Sequence, residues 1–116
     1  MSTYNDQAQC VYDFINVLSD EQPEIAKGFK TMHKASGANT VLTAKVKELV
    51  ALGIAIAIRC EGCIACHIKA ALNAGASHEE ITETIGVSVV MGGGPSIVYG
   101  EKAYKAMKEM MALAEP

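Results

Sequence analysis

The chain's strongest folding constraint is the run Leu49-Val50-Ala51-Leu52-Gly53-Ile54-Ala55-Ile56-Ala57-Ile58, apolar apart from one glycine. It shows no strand-like alternation, and its alanines and leucines favour a helix. A helix that is apolar on every side is expected to be buried on every side. Roughly ten residues are too few for a bilayer, which takes about 20. The run is therefore read as a core helix. Its alanines and Gly53 allow close approach by neighbouring helices, and Glu48 is the last polar position before it.

Directly after the run comes Cys60-Glu61-Gly62-Cys63-Ile64-Ala65-Cys66-His67, with three of the four cysteines. Reactive side chains are thus attached to the most buried segment. Gly75 offers a stop for a helix over about 61–74, and the octet opens that helix. Two thiols at C-x-x-C spacing near a helix N-terminus can close a small disulfide. The free N–H groups and the dipole there stabilise a thiolate. At about 100° per residue, Cys60, Cys63 and His67 fall within an arc of roughly 60°. His67 lies one turn beyond Cys63, within reach as a base or proton carrier. Cys66 lies off that face and is expected to be packing.

The remaining elements follow from periodicity and caps. A first helix over 5–18 carries a stripe of Val11, Phe14, Ile15 and Leu18. Cys10, near the stripe, is expected to be a small buried hydrophobe. Pro23 suits the first turn of a second helix ending near Ala35, with Ile25, Phe29 and Met32 on one face. His33 falls off that face and is read as surface. Thr43 is an N-cap for the apolar helix, 44–58. Ser77 and Glu80 form a capping box for a helix over 78–91, with Ile81, Ile85, Val89 and Val90 inward and His78 exposed. Gly92-Gly93-Gly94-Pro95 lacks nucleotide-motif spacing and follows a helix, so it reads as a tight joint. Pro95 opens a last helix to about Ala114, striped by Ile97, Val98, Tyr104, Met107 and Met111 as core or subunit interface. The expected fold is a compact all-α bundle of about six helices, one domain over 1–116 with an N-terminal helix within 1–23.

Ten basic and thirteen acidic residues leave a net charge of −3, which gives no footprint for nucleic acid or an anionic membrane. Met1 to Asp6 has no basic start and no apolar stretch follows, so the chain is read as cytoplasmic. Clustered cysteines in a reducing compartment point to redox catalysis or metal binding. Cys63-Ile64-Ala65-Cys66-His67 also fits the C-x-x-C-H haem-attachment pattern, but that attachment normally takes place outside the cytoplasm. Zinc would need one helix to wrap Cys60, Cys63, Cys66 and His67 around an ion. A cluster of the bacterial ferredoxin type lacks its fourth cysteine. A non-enzymatic metal, cluster or haem binder, or a structural cysteine cluster, stays open as a rival reading.

Glu48 followed by Cys60, Cys63 and His67 resembles the E-x11-C-x-x-C-x-x-x-H signature of the AhpD-like alkylhydroperoxidases, within the carboxymuconolactone decarboxylase superfamily. Lys47-Glu48-Leu49, Ala74-Gly75-Ala76 and Met91-Gly92-Gly93-Gly94-Pro95 agree with it, and the resemblance spans about 24–107. It implies a helical homo-oligomer, trimer or hexamer, with thiol-dependent redox chemistry. Cys63 would meet peroxide, Cys60 would resolve it to a disulfide, and Glu48 and His67 would relay protons. It further implies a disulfide or hydroperoxide substrate, a thiol or redox-protein electron donor, and no metal or organic cofactor. AhpD itself carries a His where this chain has Gly62, and it is longer, with a duplicated architecture. The namesake decarboxylases generally lack the cysteine pair. Decarboxylation using Glu48 and His67 is the alternative within the superfamily.

Overall fold

A computed structural model describes residues 3–114, and six helices occupy them: α1 Tyr4–Glu21, α2 Pro23–Ser36, α3 Ala44–Ala57, α4 Glu61–Asn73, α5 His78–Gly92 and α6 Gly94–Ala114. No strand occurs among the described residues. Among them, no helix is long and apolar enough to cross a membrane. The caps expected from the sequence are made. Thr43 Oγ1 accepts from the Val46 amide, and Ser77 and Glu80 complete a reciprocal box. Thr3 and Asp6 form a second such box at the start of α1.

Helix α4 lies at the centre, against α1, α3 and α6, while α5 closes the other side of α3 and α6. The core is filled by Leu52, Ile56, Ile64, Ile68, Ile81 and Met107, all fully buried. Small residues let the helices meet. A Cβ on Gly100 would come within 2.9 Å of Ile85, and one on Gly92 would collide with Ser96 Oγ at the α5–α6 joint. Helix α1 is fastened by its first turn, where the Asn5 amide donates to Glu109 Oε2 at 2.8 Å and Lys69 Nζ donates to Asn5 Oδ1 at 3.2 Å. Helix α2 packs mainly on α1 and buries only Ala26.

Several faces differ from those the sequence suggests. The apolar run of α3 is not buried all round: Val50 is 52% exposed and Ile54 56%. Helices α4, α5 and α6 pack against α3, and Val50 and Ile54 stay outside that packing. Val90 of α5 points outward, 83% exposed, as does Met91 beside it. In α6 the buried stripe is Ser96, Gly100, Ala103, Ala106, Met107 and Met110, and Ile97, Val98 and Tyr104 are exposed. Small residues win that face because they permit closer helix packing than branched ones. Phe14, Ile25 and Met32 are likewise exposed, since the α1–α2 pair has little covering it. Cys10 is exposed rather than buried. His78 is partly covered, its ring edge-on to Tyr104 at 5.8 Å.

Candidate active site

The site is built on the connection between α3 and α4. Helix α3 ends in a Schellman motif. The Arg59 amide donates to the Ile56 carbonyl at 3.1 Å, and the Cys60 amide donates to that of Ala55 at 3.1 Å. The motif requires a left-handed residue at its turn, and Arg59 supplies it with φ 60°, the one positive φ outside glycine among the described residues. Helix α4 ends in the same motif with Gly75 in that place, at φ 93°. Cys60 therefore serves two helices. Its amide closes α3, and its sulfur caps α4 by accepting from the Cys63 amide at 3.3 Å.

Cys60 and Cys63 are joined by a disulfide, their Cα atoms 5.2 Å apart, within the range such a bond spans. One turn beyond Cys63, His67 Nδ1 lies 2.8 Å from Glu48 Oε2. This contact crosses from α4 to α3. Its side chains are 25% and 15% exposed, respectively, so solvent screens them only in part. With Nδ1–H donated to the carboxylate, Nε2 is left as the acceptor that can take a proton. The four residues singled out in the sequence thus sit on adjacent helices, tied in two pairs.

Above them is a cavity of about 470 Å³ between α1, α2 and α4. Cys60, Cys63 and His67 line it, with Val11, Ile15 and Phe29 opposite. Cys66 lines it as well, so it does not stand aside from the site. A residue three positions on from Cys63 shares a helix face with it, and α1 brings the cavity across both. Burial pushes the Cys66 thiol up, partly offset by the Tyr12 hydroxyl beside it. Tyr12 itself is raised, first by burial, then by Cys66 and Glu48. Sequence reasoning does not mark Tyr12. The available signal is a polar aromatic set within the apolar stripe of the first helix. His33 is exposed, as expected, yet lines the same cavity with Lys30 and Lys34. Gly62 faces α1, where a Cβ would meet Val11 Cγ2 at 3.4 Å.

Among the described residues, no three His, Cys, Asp or Glu side chains converge as a metal-binding group. Cys60 and Cys63 are engaged with each other, and His67 with Glu48.

Fold and site together define an all-helical protein with a C-x-x-C pair at a helix N-terminus, beside a carboxylate-bound histidine. The chain belongs to the carboxymuconolactone decarboxylase family, whose model matches residues 23–114. It is similar to a family member from Legionella pneumophila, with TM-score 0.88 and 34% identity over 91% of this chain and 95% of that one. A Thermotoga maritima member superposes with TM-score 0.83 at 26% identity, covering 91% of each chain. Its description suggests involvement in an antioxidative response. An uncharacterized Cupriavidus necator protein is 35% identical over 86 residues, 74% of this chain and 76% of its own.

Proposed function

We propose that the chain is a thiol–disulfide oxidoreductase that cycles Cys60 and Cys63 between dithiol and disulfide. The observation that carries this reading is the pairing of those cysteines at the start of α4 beside the His67–Glu48 hydrogen bond. In the reduced state, the α4 N-terminus favours a thiolate. His67 Nε2 accepts the proton, and Glu48 stabilises the resulting imidazolium. The Cys63 thiolate attacks a substrate disulfide, forming a mixed disulfide and releasing one thiolate, which takes up a proton. Cys60 then attacks Cys63 Sγ, expelling the second thiolate and closing the Cys60–Cys63 bond. Two electrons have passed to the substrate, and an external thiol or redox protein returns them. A hydroperoxide is a second substrate for the same pair, with the Cys63 sulfenic acid resolved by Cys60.

The reading is tested by redox titration with mass mapping of the thiols. A reversible two-electron Cys60–Cys63 couple is expected, with turnover abolished in Cys63→Ser. Activity that survives alkylation of both thiols would sink the reading, and would favour acid–base chemistry by Glu48 and His67.

We further propose a cytoplasmic homo-oligomer. Val46, Val50 and Ile54 of α3 and Val87 and Met91 of α5 are exposed and line one apolar groove. A second copy of the chain is its proposed cover, and light scattering of Ile54→Asp, expected to shift toward monomer, tests this.

A further inference from the structure

Opposite the cysteines, the cavity wall is largely hydrocarbon, from Val11 and Ile15 of α1 and Phe29 of α2. A disulfide that Cys63 attacks must release a thiolate into this space. Displacement at sulfur runs in line, so the departing sulfur lies on the side of the attacked one away from Cys63. Charge left in an apolar lining without a hydrogen-bond donor is costly. At the α2 edge the Lys30 ammonium is bound to the Ser19 hydroxyl at 2.7 Å, and His33 and Lys34 are exposed. The one hydroxyl among the described residues that line the cavity is that of Tyr12.

Tyr12 is partly buried on α1, with its ring beside Lys69 of α4. Lys69 Nζ stands 5.8 Å from the ring centroid and donates to Asn5 Oδ1 at 3.2 Å, which ties it to α1. The Tyr12 hydroxyl lies beside the Cys66 thiol and feels the Glu48 carboxylate. Burial, then Cys66 and Glu48, push the phenol up, so it keeps its proton through the range in which thiols titrate. A thiol sulfur is a weak acceptor. A thiolate formed in the cavity is a stronger one.

We propose that Tyr12 is a catalytic residue whose hydroxyl donates a hydrogen bond to the sulfur expelled when Cys63 attacks a substrate disulfide. The proposal rests on the dithiol reading. As the bond from Cys63 Sγ to the substrate forms, the substrate S–S bond breaks and its electron pair stays on the departing sulfur. Tyr12 stabilises that charge where it develops. The His67 imidazolium then supplies the proton it took from Cys63, and the phenol keeps its own.

Tyr12→Phe removes the hydroxyl and keeps the ring. Initial rates of the reduced protein are compared on two neutral disulfides. Bis(2-hydroxyethyl) disulfide releases an alkyl thiolate, with its charge on sulfur. Dipyridyl disulfide releases a thiolate whose charge spreads into the ring, a leaving group that departs readily without help. Tyr12→Phe should slow the first reaction by about tenfold, the low end for a hydrogen bond to a charged group, and the second by less than about twofold. Both substrates meet the same fold, so a packing defect lowers the two rates together. Equal slowing of both, or slowing of neither, overturns the role of Tyr12 and leaves the dithiol reading intact. A wild-type protein that reduces neither disulfide removes the dithiol reading, and the role of Tyr12 with it.

Discussion

Arg59 holds a backbone conformation that a side chain opposes, and replacing it by glycine should stabilise the protein. The left-handed region costs a non-glycine residue roughly 1–2 kcal/mol. Glycine removes that cost but adds freedom to the unfolded chain, about 0.4–1 kcal/mol. The Arg59 side chain is exposed and makes no ion pair among the described residues, so little else is lost. The net expectation for Arg59→Gly is a gain of about 0.5–1 kcal/mol, or roughly 2–5 °C in Tm for a domain of this size. Arg59→Val should lose about 1 kcal/mol or more, because a β-branched residue is least tolerant of positive φ. Urea unfolding of the wild type and the two variants at one fixed concentration measures both, which keeps the comparison independent of the proposed self-association. A glycine variant less stable than the wild type, or a valine variant as stable as the glycine one, would refute the reasoning. The comparison has an internal standard in Gly75, which holds the same motif at the other end of α4.

Glu48→Gln keeps a hydrogen-bond partner for His67 but removes the charge, and disulfide turnover should fall by about 10²-fold near neutral pH, read from initial rates. Gly92→Ala places a methyl against Ser96 Oγ and should cost about 1–3 kcal/mol in denaturant unfolding. In the oxidised protein the free thiols are Cys10 and Cys66, and mass-mapped iodoacetamide labelling should modify exposed Cys10 first. Burial favours the neutral Cys66 thiol, so its labelling midpoint should lie above an ordinary thiol's. The sign for stability follows: this contribution is full below the unfolded thiol pKa and is lost as pH rises through the folded value. Cys66→Ala should therefore flatten the stability profile on the alkaline side, from about pH 8 upward, in urea unfolding followed against pH.

The number and order of the helices were legible because their ends carry local chemistry. Thr43, Ser77 with Glu80, and Gly75 act within a few residues of themselves. Faces were legible only where a polar side identified the other. In the apolar run of α3 every side is apolar, so nothing in the run says which side the fold leaves open. In α6 the packed stripe is Gly100, Ala103 and Ala106, residues of low hydrophobicity whose value is closeness rather than area. The pairing of Cys60 with Cys63 needs only one helix turn, and the spacing announced it. The Glu48–His67 contact crosses helices and came from the resemblance. The cavity, with Tyr12, Lys30, His33 and Lys34, depends on how α1 and α2 lie over α4, and no local pattern encodes that. Arg59 carries no signal at all, since arginine is not a residue that announces a left-handed turn.

Helix α2 touches the rest of the chain mainly through α1, whereas the disulfide, His67 and Glu48 belong to α3, α4 and the turn between them. The cavity over the reactive atoms is thus shared, with α1 and α2 forming one wall and the start of α4 the other. The family-matched segment starts at residue 23, after α1. On the proposed dithiol reading, residues of α1 and α2 act on what approaches the pair, while the pair itself belongs to the start of α4. On that reading, changes confined to Val11, Ile15 or Phe29 would alter what reaches Cys63 without touching the pair itself. Conversely, a change of redox potential made at the start of α4 need not alter which molecules are admitted.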